Sequence, residues 1–286
     1  MSVDSIKTVA VLGAGTMGNG IAHVFARSGY PVLLRDVDQK VLDRALGTIS
    51  KNLEREVAKN KLTAADRSAA LDRIQPVTDS KALAAADFVV EAVPEQRDLK
   101  IRILKDVDSV IGPGAILASN TSSISITELA AHTSRPDRFI GMHFMNPVPM
   151  MALVEVINGA ATSDATFAAT MTLCEKLGKT AVSVNDFPGF VANRVLMPLI
   201  NEAAFAVMEG VAAPEAVDAV MKLGMNHPMG PLQLADFIGL DVCVEILDVL
   251  LRGFGDPKYR ACPLLRKYVA AGWLGRKSGR GFYTYS

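Results

Sequence analysis

The chain has 286 residues, half of them hydrophobic, which is enough for one large core or two domains. Thirty basic residues balance thirty acidic ones, so no overall electrostatic pull towards nucleic acid or a membrane surface is expected. Cys174, Cys243 and Cys262 are odd in number, lack metal spacing and read as reduced thiols of a cytoplasmic protein, while the N-terminal stretch 1–7 has no apolar signal core and no apolar run reaches membrane-spanning length.

Val9 to Leu12 is a short apolar run of the kind expected of a buried parallel strand. It leads into Gly13-Ala14-Gly15-Thr16-Met17-Gly18, a G-x-G-x-x-G turn. Ile21, Ala22, Val24, Phe25 and Ala26 follow at helical spacing, and Ser28-Gly29 closes that helix. A second strand, Val32 to Leu34, ends in Arg35-Asp36. Strand, glycine turn, helix, strand and acid together form the context a dinucleotide-binding fingerprint requires. Gly13 permits the tight turn, Gly15 lets a pyrophosphate approach the backbone, and Gly18 lets helix and strand pack closely. The helix N-terminus offers N–H donors and a positive dipole end to phosphates. Asp36, 18 residues beyond Gly18, can accept from both ribose hydroxyls and disfavours a 2′-phosphate. Arg35 beside it is the residue type that accommodates NADP.

Residues 39–73 read as a helical hairpin, its second helix opened by a variant capping box at Thr63 to Asp66. Lys51, Arg55 and Lys59 recur at i, i+4, i+8 and share one face. That face is either solvated and balanced by Glu54 and Glu56, or a binding surface. Strands resume at 74–78 and 88–92, the second running into Glu91-Ala92-Val93-Pro94-Glu95 at a carboxyl strand end, where open α/β sheets bind ligands. A helix over 98–110, a turn at Gly112-Pro113-Gly114 and a strand over 116–119 follow. The next residues, Asn120-Thr121-Ser122-Ser123, are a polar loop. Ser125 suffices as cap of the following helix, leaving Ser122 for another role.

The strand 139–144 carries His143. A lone histidine on an apolar strand is usually a satisfied core residue. Here Glu155 lies on the next strand segment, 153–157, and both sit near the edge that carries the polar loop. His23, His132 and His227 have no such company and read as structural. A helix over 164–177 and a strand over 181–184 complete the sheet. From Phe190 onward the period is helical, over 190–211, 214–223, 232–238, 241–252 and 263–271. The first of these helices is apolar on more than one face, as suits burial between domains or subunits. Asn193 and Arg194 are polar islands in it. The glycine-basic tail 275–283 reads as flexible unless it is recruited.

With these motifs in this order and spacing, the whole chain resembles the short-chain L-3-hydroxyacyl-CoA dehydrogenases. The resemblance rests on Gly13 to Gly18, 91–95, 119–123, 143–149, 186–194 and 279–283. It implies an α/β N-terminal Rossmann-type dinucleotide-binding domain, residues 1–187, followed by an all-α C-terminal substrate and dimerisation domain, residues 188–286. It further implies NAD as cofactor, an acyl-CoA substrate such as 3-hydroxybutyryl-CoA, and a homodimer formed through the helical domain. By the same resemblance, His143 is the catalytic base and Glu155 its orienting carboxylate, and Ser122 and Asn193 hold the substrate oxygen. The NAD contacts fall on Gly13, Ala14, Gly15, Thr16, Met17, Gly18, Asp36, Glu95, Lys100, Ser122, Asn146 and Lys277. A CoA-contacting lysine falls on Lys59. The chemistry is coherent: a histidine takes the hydroxyl proton, a carboxylate fixes its tautomer, and no metal ligand is required. Two rival readings are a dehydrogenase of a free hydroxy acid, of sugar-acid or carnitine type, on the same scaffold, and a non-catalytic, crystallin-like structural protein.

Overall fold

The structure is a computed structural model that describes residues 3–285. Met1, Ser2 and Ser286 lie outside the described residues, and with them the first two positions of the stretch expected to lack a signal core. Two compact units meet in sequence between Asp186 and Phe187.

The first unit is an eight-stranded sheet: β1 Val9–Leu12, β2 Val32–Arg35, β3 Ile74–Val77, β4 Phe88–Glu91, β5 Ile116–Ser119, β6 Phe139–Phe144, β7 Leu153–Asn158 and β8 Thr180–Asn185. Their order is β3-β2-β1-β4-β5-β6-β7-β8. From β3 to β6 every pairing is parallel, β6 and β7 are antiparallel, and β7 and β8 are parallel. The order reverses between β1 and β4, and such a switch point opens a ligand crevice at the carboxyl strand ends. β1, β4 and β5 are buried at every position, because helices cover parallel strands on both faces.

The helices of this unit are α1 Thr16–Arg27, α2 Gln39–Ala58, α3 Ala64–Asp72, α4 Arg97–Asp108, α5 Ile126–Ala130 and α6 Asp164–Lys176. α2 buries a single stripe, Leu42, Ala45, Ile49 and Leu53, and leaves its other faces to solvent. Thr63 and Asp66 cap α3 reciprocally, the Asp66 amide donating to Thr63 Oγ1 at 3.0 Å and the Thr63 hydroxyl to Asp66 Oδ2 at 2.6 Å. Ser125 caps α5 as expected.

The second unit is helical: α7 Ala192–Met208, α8 Pro214–Gly224, α9 Pro231–Ile238, α10 Leu240–Phe254 and α11 Pro263–Ala270. Its core contains Met197, Ile200, Leu232, Leu240, Leu247 and Leu265. Asn201 is buried within α7 and bonded at both ends of its carboxamide: Nδ2 donates to Arg260 O at 3.0 Å and Oδ1 accepts from Cys262 N at 2.8 Å. Arg194 lies 3.8 Å above the Phe254 ring. The tail is not loose. Asp236, 1% exposed, accepts from the amides of Phe282 and Tyr283 and from the Tyr285 hydroxyl. Asp218 accepts from the Tyr283 hydroxyl and from the first amides of α9.

Candidate active site

The three glycines of the turn have three different surroundings. Gly13 takes φ +91°, and a side chain there would sit 2.8 Å from Ala92 O. A Cβ on Gly18 would lie 1.7 Å from Gly13 O, so the helix could not approach the turn. A Cβ on Gly15 would meet no protein atom within 4 Å, which leaves open space above the uncapped amides of α1. Ala14, Thr16 and Met17 complete this turn and the first residues of α1. Beside it runs a groove of about 600 Å³, bordered by Arg35, Asp36, Val37, Pro94, Leu99 and Arg102. Open backbone at a helix N-terminus, an apolar groove and a carboxylate at its edge fit a dinucleotide.

Asp36 Oδ2 accepts from Ala14 N at 2.8 Å and Oδ1 from Asp38 N at 3.2 Å. The carboxylate is thereby fixed where an adenosine ribose would lie. We expect NADH to be favoured over NADPH by at least an order of magnitude in kcat/KM, about 1.4 kcal/mol. Asp36→Ala is expected to lower efficiency with NADH and narrow the preference, because Arg35 remains. Steady-state rates with both cofactors check this; equal efficiency in the unaltered protein would contradict it.

His143 is the penultimate residue of β6, and Glu155 lies directly opposite it on antiparallel β7. Opposed residues point to the same face, so the register alone brings the pair together. His143 Nδ1 is 2.7 Å from Glu155 Oε2, with the histidine 9% and the glutamate 2% exposed. The loop after β5 is tied to the same strand, Asn120 Oδ1 accepting from Phe144 N at 2.9 Å. Asn146 follows His143 by three residues and is exposed.

Ser122 is held from below by Glu95. Oε1 of Glu95 accepts from the Ser122 amide at 3.0 Å, from the Ser123 amide at 3.2 Å and from the hydroxyls of Thr121 and Ser123. Burial opposes ionisation of Glu95, but the Lys100 ammonium and these donors outweigh it and hold the carboxyl below its ordinary range. Lys100 itself does not open onto the groove. It is 1% exposed, with Nζ 2.7 Å from Glu91 Oε1 and 3.2 Å from Glu95 Oε2. Glu91, which opens the 91–95 motif but carries no role of its own in the sequence reading, is fully buried. The available signals were an acid closing a wholly apolar strand and a lysine on the buried stripe that α4 shares with Ile101, Leu104 and Val107.

Lys59 caps the C-terminus of α2 and, with Arg27, Arg55 and Lys61, lines a cleft of about 320 Å³ whose other wall is Pro147, Pro149 and Met150. Lys51 does not line it, so of the three residues on the basic face only Arg55 and Lys59 border the cleft. Lys179, buried, donates to Val148 O at 2.6 Å and Met151 O at 2.7 Å, fixing the loop that forms this wall and joins β6 to β7. The reading of His23 needs correction, because it does have a carboxylate neighbour. Its Nε2 lies 3.2 Å from Glu56 Oε1, which α2 brings over α1. Burial dominates there and lowers the His23 pKa to about 4. His23 therefore stays neutral, and Glu56 pairs with Arg27 at 2.9 Å.

Asn193 and Lys277 belong to the second unit. Asn193 is 9% exposed in the first turn of α7, and Lys277 pairs with Asp241.

Comparison with known proteins agrees along the whole length. Residues 8–187 match the NAD-binding domain model of 3-hydroxyacyl-CoA dehydrogenase and residues 189–285 its C-terminal domain model. A probable 3-hydroxybutyryl-CoA dehydrogenase of Bacillus subtilis is 57% identical over 98% of both chains. A 3-hydroxybutyryl-CoA dehydrogenase of Bradyrhizobium diazoefficiens is 55% identical, covering 98% of this chain and 96% of its own. The crystal structure of (S)-3-hydroxybutyryl-CoA dehydrogenase from Ralstonia eutropha superposes with a TM-score of 0.97 at 54% identity, over 99% of this chain and 100% of that one. The chain belongs to the 3-hydroxyacyl-CoA dehydrogenase family of NAD-dependent oxidoreductases.

Proposed function

We propose that this chain oxidises (S)-3-hydroxyacyl-CoA reversibly to the 3-ketoacyl-CoA, with 3-hydroxybutyryl-CoA as its substrate. The observation that carries this reading is the register-enforced His143–Glu155 pair beside the Ser122 loop, at the carboxyl edge that also carries the glycine turn. Bound NAD supplies the hydride acceptor. His143 takes the hydroxyl proton as the carbon is oxidised and returns it in the reverse direction. Glu155 orients the ring through Nδ1 and stabilises the imidazolium, with Nε2 as the atom that exchanges the proton with the substrate. Ser122 and Asn193 hold the reacting oxygen by neutral hydrogen bonds. The glycine turn, Asp36, Asn146 and Lys277 hold the dinucleotide. A rate panel of acetoacetyl-CoA and longer 3-ketoacyl-CoAs with NADH tests the substrate. Acetoacetyl-CoA should be fastest, and a faster free 3-keto acid would move the protein to the rival class.

The basic cleft takes the CoA phosphates, with Lys59 as one of four cations and the Pro147–Met150 wall against the organic part. Lys59→Ala is expected to raise KM for the CoA ester several-fold and to lower kcat less. An unchanged KM would return Lys59 to the solvated surface.

The second unit forms a homodimer in the cytoplasm. Val195, Leu223, Met225 and Phe237 are more than half exposed on it, which favours a buried partner surface. Light scattering at micromolar concentration should give twice the mass of the chain; a monomer would overturn the assignment.

A further inference from the structure

We propose that Lys179 and Gly20 are positioning residues for Asn146, acting from two sides on the loop that joins β6 to β7. The inference rests on the reading of Asn146 as a holder of the dinucleotide.

A lysine is seldom buried without a carboxylate against its ammonium. Lys179, 7% exposed and one residue before β8, instead directs two of its three protons to main-chain carbonyls of one short loop. Nζ donates to Val148 O at 2.6 Å and to Met151 O at 2.7 Å. Between these points the loop closes on itself. The amides of Met150 and Met151 both donate to Pro147 O, at 2.9 and 3.0 Å. A grip on Val148 and Met151 therefore holds residues 147–151 as one piece. Thr180 N, next to the lysine, donates to Ala152 O at 2.8 Å and ties the far end of the loop to β8.

The second grip comes from α1. Gly20 stands one turn into that helix, and the loop fills the space its side chain would take. A Cβ there would lie 2.8 Å from Val148 Cβ and 3.5 Å from Pro149 Cδ. Val148 is buried at this contact. The helix that offers its N-terminus to the pyrophosphate thus also sets how closely the loop approaches. Asn146 comes two residues before Val148 and three after His143, so its contact falls at the reacting end of the dinucleotide. Its place there is set by α1 and β8 together, through the loop.

Loss of the lysine leaves two carbonyls without their donor, and the loop must shift to bring them to water. A methyl group on Gly20 displaces the loop directly, because an ordinary carbon–carbon contact needs a retreat of roughly 1 Å. A misplacement of about 1 Å costs on the order of a hundredfold in rate. Both routes move Asn146 without altering its side chain or that of His143.

The test places Lys179→Met and Gly20→Ala in the full-length protein, each alone and each with Asn146→Ala. It reads kcat at saturating acetoacetyl-CoA and NADH, per NADH-binding site counted by fluorescence titration, so that unfolded chains do not enter. Each substitution should lower kcat at least tenfold. In the Asn146→Ala background each should cost less than threefold, because the contact they position is already gone. Residues that only hold the fold would lower Tm and the number of sites while kcat per site stayed normal, and that result would overturn the proposal. Equal losses in both backgrounds would also overturn it, while leaving Asn146 as a contact. A normal Asn146→Ala protein would remove both readings. Should Lys179→Met fail to fold, Gly20→Ala decides alone, since it keeps the lysine and places a better helix former in α1.

Discussion

His143→Gln is expected to lower kcat by about two to four orders of magnitude, the range of a positioned acid–base group, while the NADH Kd stays within about twofold. Glutamine keeps polarity and approximate size but cannot take a proton at neutral pH. Glu155→Gln should fall in the same range, for a different reason. The amide can still accept from Nδ1–H, so the ring stays in place, but no charge faces the imidazolium that forms as the hydroxyl proton leaves. The opposite outcome follows if the pair is merely a satisfied polar contact in the core: both variants would lose thermal stability, and whatever folds would turn over normally. Steady-state kinetics, NADH titration and melting curves on the same preparations separate the two. A well-folded His143→Gln protein with near-normal kcat would end the assignment. If Glu155→Gln alone were normal, His143 would remain the base and another group would have to orient it.

The largest stability effect should come from Asp236. One buried carboxylate accepts from Phe282 N at 2.9 Å, Tyr283 N at 2.9 Å and the Tyr285 hydroxyl at 3.0 Å. Gly281 and Gly275 exist to let the tail close on it. A Cβ on Gly281 would lie 1.9 Å from Asp236 Oδ1, and one on Gly275 2.2 Å from Asp236 O. Burial raises the Tyr285 pKa to about 12, and the hydrogen bond to Asp236 adds to the shift, so the phenol remains a donor across the neutral range. Asp236→Ala strands two amides and a phenol, at about 1–3 kcal/mol for each group left fully buried and unmatched. Because these amides are only partly buried, the expected loss is about 2–4 kcal/mol, a fall in Tm of roughly 10 °C. Limited proteolysis of the tail should accelerate in parallel. An unchanged Tm with a protected tail would show that packing of Phe282 and Tyr283, rather than the carboxylate, holds it.

Much of this architecture could be read from local pattern. The strand and helix limits follow from apolar runs, the 3.6-residue period and turn residues. The glycine turn followed from its flanking elements. His143 and Glu155 were recognisable as candidates because an imidazole and a carboxylate on neighbouring strand segments are unusual company. What the pattern could not supply was pairing at a distance. The antiparallel return of β7 places Glu155 opposite His143, and a shift of one residue would turn the carboxylate to the other face. The same limit explains His23, whose carboxylate comes from α2, and the tail, whose anchors Asp218 and Asp236 are far from it in sequence. Lys100 is a different case: the resemblance implied a cofactor contact, and what no local pattern could show is that its side chain lies on the buried stripe of α4, paired with Glu91.

The most direct measurement is the absorbance of NADH formed when the purified protein meets NAD and one of three compounds. These are (S)-3-hydroxybutyryl-CoA, its (R) enantiomer and free 3-hydroxybutyrate. If His143 is the base, Ser122 and Asn193 hold the oxygen and the cleft at Lys59 takes the CoA phosphates, NADH forms rapidly with the (S) thioester. The (R) enantiomer and the free acid should give rates lower by at least two orders of magnitude. NADH formed as fast from the free acid, or none from the thioester, would contradict the account.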